Sequence, residues 1–129
     1  MTVSKVVDRL YFGDWQEARD ASMPGLVKVT VARESPFMGD YYFPLVDAED
    51  RDNAEILWQA VQKVDDLMRD GKTVLVHCVS GLSRSCAVVM GYLAARRGYT
   101  MDGALDLVRK ARPGVMLEQS LLKVLQSKA

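Results

Sequence analysis

Two cysteines, one histidine and no net charge in 129 residues each remove a class of answer. Cys78 and Cys86 are too few to build a disulfide framework in a domain of this size. His77 is the only imidazole and no second pair of soft ligands accompanies it, so neither a metal nor any other cofactor is expected. Lys+Arg and Asp+Glu balance at 17 each, which gives no reason to expect nucleic acid or an acidic membrane as the main partner and makes any anion site a local one. No segment approaches the roughly 18 apolar residues of a membrane span, and the opening MTVSKVVDRLYFGDW carries charges throughout instead of an unbroken apolar core. A soluble, cytoplasmic protein is the expectation, monomeric by default. Repeats, low-complexity tracts and linkers are also missing, and at 49% hydrophobic the chain can fill one core but not two. Residues 1–129 are expected to form a single domain.

What is present is an alternation of strand and helix signals. LVKVTVA (26–32) is short and β-branched, YYFPLV (41–46) is a second apolar run, and the turn between them holds Pro36, Gly39 and Asp40. Tyr41, Tyr42 and Phe43 alternate as strand residues do, which predicts core packing for them. RLYF near the start is a further strand candidate. From Asn53 to Arg69 the residues Ile56, Leu57, Ala60, Val61, Val64, Leu67 and Met68 recur at helical spacing, and Asp70-Gly71 closes the run. TVLVHC has the continuous apolar character of a buried central strand. Helices are predicted from Ser83 or Arg84 to a stop at Gly98, over 101–111 before Pro113-Gly114, and over 118–127. This order predicts an α/β domain with a central mixed, mainly parallel sheet covered by helices on both faces.

The stretch VHCVSGLSRS (76–85) lies where the predicted central strand gives way to a helix. In open α/β sheets that edge receives ligands. A helix N-terminus presents free N–H groups, and a curled loop aims more of them inward, so Val79, Ser80, Gly81, Leu82, Ser83 and Arg84 are candidates for a phosphate cradle. A thiol in such a positive field ionises more readily, its pKa falling from about 8.5 to roughly 3.5–7.5, which makes Cys78 a candidate nucleophile. Arg84 can meet phosphoryl oxygens with two parallel hydrogen bonds, and Gly81 permits a backbone conformation other residues avoid. Ser85 can donate to the Cys78 sulfur and ease its departure. His77 is expected to orient the loop and not to take a proton. Cys86, one turn into an apolar helix, is expected to be a core residue.

HCVSGLSRS resembles the signature of the cysteine-dependent protein tyrosine phosphatases, in which His-Cys is followed by five residues, Arg, and Ser or Thr. The small-residue form GLSRS is most similar to the dual-specificity branch. RLYFGDWQEARD resembles the opening strand and turn of that branch, FPLVD its acid loop, and GYLAARRGYTMDGALDLVRKARPGV its later helices, so the resemblance spans nearly the whole chain. It implies the phosphatase fold, and a general acid about thirty residues before the nucleophile on the loop after FPLV. Asp47 fits, with Asp50 and Asp52 as competitors on the same loop; Asp47 follows the strand directly and is better fixed. This acid would protonate the leaving oxygen and then activate water against a cysteinyl-phosphate. The chain departs from the branch at Leu117-Glu118, where Pro-Asn is common.

The implied activity is hydrolysis of phosphotyrosine, with phosphoserine and phosphothreonine, in a phosphorylated protein substrate. Val79 to Ser83 carry no charge, which favours a single phosphate monoester over substrates that need basic residues in the loop. A glycan, lipid or small phosphoester is the alternative substrate. A phospho-binding pseudoenzyme would be expected to lack the cysteine, arginine or acid, and a sulfur transferase would not need the Arg-Ser ending or the upstream aspartate. Plainer roles stay open for Asp47 as a loop carboxylate, for Ser85 as a helix cap, and for Arg112 as a tie to the last loop.

Overall fold

The structure is a computed structural model in which residues 2–127 are described. Its centre is β5 (Thr73–His77), flanked on both sides by parallel neighbours. Strand β2 (Leu10–Gly13) pairs with one edge of β5 and β3 (Leu26–Thr30) with the other; β1 (Ser4–Val7) adds antiparallel to β2, and β4 (Tyr41–Tyr42) adds parallel to β3. The five-stranded order is therefore β1-β2-β5-β3-β4. The position of β5 accounts for its unbroken apolar run: Val74 and Val76 enter the main core, while Leu75 and His77 are buried on the opposite face.

Helix α2 (Asn53–Arg69) buries Leu57, Ala60, Val61, Val64, Leu67 and Met68, the stripe its periodicity predicts. Helix α3 (Arg84–Arg96) is buried from Arg84 through Leu93, because α2, α4 (Met101–Ala111) and α5 (Gln119–Ser127) all pack around it. Helix α1 (Trp15–Asp20) lies against β5, and its Ala18 is buried outside the main core cluster, as Leu75 is. The mainly parallel sheet between helices is thus the predicted architecture.

Several local expectations change. The segment Asp14–Glu17 is a capping box: the Asp14 carboxylate accepts from Glu17 N at 2.7 Å and Glu17 Oε1 accepts from Asp14 N at 2.8 Å, so a helix forms where only a turn was expected. The predicted strand 41–46 is ordered as a strand only at Tyr41–Tyr42. Phe43 N still donates to Thr30 O at 2.8 Å, but Pro44 has no N–H to offer, and Leu45 N turns back to Phe43 O at 2.8 Å. Tyr41 and Tyr42 are not core residues: they are 38% and 41% exposed, because β4 is an edge strand only two residues long. Lys63 lies 4.4 Å from the Tyr41 ring centre, and the Tyr42 hydroxyl donates to Arg33 O at 2.9 Å.

The fold places α3 from Arg84 through Leu93 in the middle of the core, so loss of core volume there should be costly. Leu93→Ala removes a fully buried side chain and should lower unfolding stability by about 2–5 kcal/mol in urea titration; a loss below about 1 kcal/mol would contradict this packing.

Candidate active site

Residues Cys78 to Ser83 form the loop between β5 and α3, at the C-terminal edge of the central strand. The loop is pinned at several points: Cys78 N donates to Gly13 O at 3.4 Å, Val79 O accepts from Trp15 N at 3.4 Å, and Leu82 O accepts from Met116 N at 2.9 Å. Ser80 Oγ takes the Leu82 N–H at 3.2 Å. The curl turns on Gly81, whose φ of +73° belongs to the left-handed region. A Cβ there would lie 2.3 Å from Arg112 Nη1 and 2.8 Å from Asp14 N and Gly13 C, so conformation and space both demand glycine. As a result Gly81 N points at the Cys78 sulfur from 3.3 Å, and the Ser85 hydroxyl reaches it at the same distance. The sulfur is buried at the loop's floor between the Gly81 N–H and the Ser85 hydroxyl.

Arg112 backs this turn. It donates from Nη2 to Glu17 Oε1 at 2.6 Å and from Nε to Ser4 Oγ at 2.9 Å, and its guanidinium lies 5.5 Å from the Phe12 ring centre. The expected structural role of Arg112 is therefore met in a wider sense: it ties the end of α4 to α1, β1 and the underside of Gly81. Glu17 is buried as well, so each charge has its counter-charge within the core wall.

His77 is fully buried. Its Nδ1 faces the Cys78 carbonyl at 3.2 Å, and a carbonyl can only accept, so Nδ1 carries the proton. Its Nε2 lies 2.7 Å from Thr30 Oγ1, which itself accepts from Gly39 N at 2.7 Å. The chain of donors is satisfied by a neutral ring, with the Thr30 hydroxyl donating to Nε2 and His77 donating to the loop. Burial pushes the imidazole below its ordinary 6.5, in keeping with that tautomer. His77 thereby holds the Cys78 carbonyl at the start of the loop.

Arg84 is 4% exposed and strongly held. Nη1 and Nη2 donate to the two oxygens of Glu34 at 2.6 and 2.8 Å, and Nη1 also donates to Leu45 O at 2.9 Å. These bonds use one edge of the guanidinium. The Nε and second Nη2 hydrogens form the other edge, a planar two-point donor suited to phosphoryl oxygens. Burial works against the charge on Arg84, but the hydrogen bonds and charge of Glu34 outweigh it and hold the group above its ordinary value. In return, hydrogen bonding to Arg84 draws the Glu34 carboxyl below the usual range. Glu34 was missed in the sequence. The signal available was a carboxylate two residues beyond the buried Val31-Ala32, where a buried arginine needs a partner.

Asp47 is brought to the loop: its Oδ1 accepts from the Ser83 hydroxyl at 2.7 Å. Asp50 instead accepts from Asp52 N at 2.9 Å in a local turn, and Asp52 sits at the N-terminal cap of α2 without a side-chain cap bond. Asn53, also missed, clamps both neighbours of Asp47. Its amide accepts from Val46 N at 3.0 Å and donates to Val46 O at 2.8 Å and Ala48 O at 3.1 Å. Cys86 is buried in the core with its sulfur 3.6 Å from Gly81 O, and burial pushes its thiol up to about 12. Among the described residues, no group of three or more His, Cys, Asp or Glu side chains is placed to hold a metal ion, and no helix is long and apolar enough to cross a membrane.

Comparison with known proteins agrees with this geometry. Residues 27–128 match the family model described as dual specificity phosphatase, catalytic domain. Protein 123R of Invertebrate iridescent virus 6 is 31% identical over 131 residues, covering 97% of this chain and 90% of the viral protein. Dual specificity protein phosphatase 1B of Arabidopsis thaliana is 27% identical over 119 residues, covering 85% of this chain and 71% of the plant protein. The crystal structure of human DUSP28 superposes with a TM-score of 0.84 at 25% identity, covering 97% of this chain and 90% of the human one.

The neutral, buried His77 generates a pH prediction. The unfolded chain takes up a proton near the ordinary 6.5 while the folded ring, its pKa lowered, does not. Stability is therefore fully present above that value and is lost as pH falls below it. The urea midpoint should drop between about pH 7 and about pH 5.5, and His77→Gln should flatten that drop. An equally steep drop in the variant would assign it to other groups.

Proposed function

We propose a reaction path for this chain, which belongs to the dual specificity phosphatase family and is a protein phosphatase of the cysteine-dependent class. The Cys78 sulfur attacks phosphorus as the bond to the leaving oxygen breaks, giving a cysteinyl-phosphate, and Asp47 passes its proton to that oxygen. Asp47, now a carboxylate, takes a proton from water as the water oxygen attacks phosphorus. The sulfur leaves as thiolate and inorganic phosphate departs. The observation that carries this path is the convergence on one sulfur of the Gly81 N–H and the Ser85 hydroxyl, each at 3.3 Å, while Arg84 keeps an edge that takes no partner among the described residues.

Each residue then has a physical task. Backbone N–H groups from Val79 to Arg84 and the Arg84 fork hold the phosphoryl oxygens through their rearrangement, supplying charge that a metal provides in other phosphatases. Ser85 donates to sulfur and stabilises it as the leaving group of the second step. Glu34 and the Leu45 carbonyl keep the Arg84 plane in one orientation.

The substrate we infer is a protein carrying a single phosphate monoester, on tyrosine first and on serine or threonine as well. The loop residues Val79, Ser80, Gly81, Leu82 and Ser83 are uncharged, and the exposed residues of the acid loop are mostly carboxylates, Asp47, Glu49 and Asp52, with Ala48 and Arg51 the exceptions. Among the described residues the loop therefore offers no cation for a second bound phosphate, and the acid loop offers Arg51 amid three carboxylates. A phenolate also leaves more readily than an alkoxide, which favours tyrosine.

Three outcomes test the path. Hydrolysis of an activated aryl phosphate should proceed unchanged in EDTA, and Cys78→Ser should abolish turnover while still binding phosphate esters; turnover within a few-fold of wild type would remove Cys78 as nucleophile. Asp47→Asn should slow a phosphotyrosine peptide by about 10²–10⁴-fold and an ester with a very good leaving group far less. Equal losses on both substrates, or a larger loss from Asp50→Asn, would move the acid elsewhere.

A further inference from the structure

Ser83 occupies the N-cap position of α3, where a serine ordinarily turns its hydroxyl onto the first turn of the helix. Here it makes no side-chain cap bond. The hydroxyl is buried and turned outward from the helix, and both of its capacities are used elsewhere: it accepts from Glu118 N at 2.9 Å and donates to Asp47 Oδ1 at 2.7 Å. A serine has one hydrogen to give. With the Glu118 N–H occupying a lone pair, the O–H direction is settled and falls on Asp47.

We propose that Ser83 is a positioning residue for Asp47, fixing its carboxyl over the phosphate cradle through a relay that begins at the backbone of Glu118. This rests on the reading of Asp47 as the general acid. The relay acts on one oxygen only. Oδ1 is engaged by Ser83, while Asp47 as a whole is exposed and, among the described residues, Oδ2 takes no hydrogen bond. Oδ2 is therefore the oxygen that exchanges a proton with the leaving group. Once that proton has moved, Asp47 is an anion, and the bond from Ser83 becomes charge-assisted and stronger. The interaction grows along the first chemical step, which is the condition for it to speed that step and not merely to tighten binding.

The relay also accounts for two features otherwise unconnected. Asn53 fixes the backbone on both sides of Asp47 but touches neither carboxyl oxygen, so a second element has to set the side chain's direction. The donor at position 118 is a backbone N–H, which survives the departure from the common Pro-Asn at Leu117-Glu118 because it does not depend on the side chain. Three loops, those carrying Ser83, Asp47 and Glu118, meet at a single hydroxyl.

The test is a cycle of Ser83→Ala, Asp47→Asn and the double variant, assayed on a phosphotyrosine peptide and on an aryl phosphate with a very good leaving group. Ser83→Ala should lower kcat on the peptide about tenfold with KM within about twofold, a split expected when an interaction is made in the transition state and not in the bound substrate. It should have little effect on the activated ester, and Ser83→Thr, which keeps the hydroxyl, should restore most of the peptide rate. In the Asp47→Asn background Ser83→Ala should cost little more. Competitive inhibition by inorganic phosphate should be unchanged in Ser83→Ala, showing an intact cradle. A full tenfold loss added on top of Asp47→Asn, equal losses on both esters, or weakened phosphate inhibition would overturn the relay and leave Asp47 in place. Full activity of Asp47→Asn would overturn the acid assignment and the relay together.

Discussion

A buried strand that ends on a thiol has to reverse within a few residues if its sulfur is to meet the backbone N–H groups of the next helix, and the tightness of that reversal governs everything around it. Gly81 alone can occupy the left-handed turn, with Arg112 and the Gly13–Asp14 backbone packed where a side chain would project. Arg112 in turn is held by Glu17, whose other task is to cap α1 at Asp14. The short α1, the last loop and the hairpin β1–β2 are thereby fastened to the same point. Loss of either Glu17 or Arg112 leaves a buried charge without its partner, which is far more costly than the pair is stabilising.

A second constraint comes from charge. Arg84 must be nearly buried to approach a phosphoryl group without intervening water, yet an unpaired guanidinium there would be unstable. Glu34 resolves this by neutralising one edge while the other takes no partner among the described residues. His77 shows the complementary solution: it is buried without a counter-ion and stays neutral, with its two nitrogens joined through Thr30 to Gly39 and to the Cys78 carbonyl. The strand end is thus fixed by neutral hydrogen bonds, and ionic ones surround the place where the substrate's charge arrives.

Much of this was legible in the residues. The periodic apolar stripe of α2, the continuous run of β5 and the Cys-to-Arg spacing located the site at a strand's C-terminal edge, since each depends on local pattern. What escaped depends on partners distant in the chain or on one missing atom. Glu34 and Arg84 are 50 residues apart and Glu17 and Arg112 are 95 apart, so neither pair leaves a local trace. Asn53 looked like the first residue of a helix, and its clamp on Val46 and Ala48 becomes visible only when the preceding loop folds back over it. Pro44 shortened β4 and left Tyr41 and Tyr42 exposed, although their alternation matched a buried strand. The capping box at Asp14 and Glu17 was in plain spacing and passed as a turn because the helix it opens is only six residues long.

The central claim is that phosphate passes through the sulfur of Cys78. Acid-quenching the protein during turnover of a phosphotyrosine peptide, followed by peptide mapping in a mass spectrometer, tests it directly. A phosphoryl group is expected on Cys78, accumulating further in Asp47→Asn supplied with a good leaving group, because the water step is then slowed. A phosphoryl group on any other residue, or steady turnover with no phosphoenzyme at the shortest quench times in either protein, would contradict it.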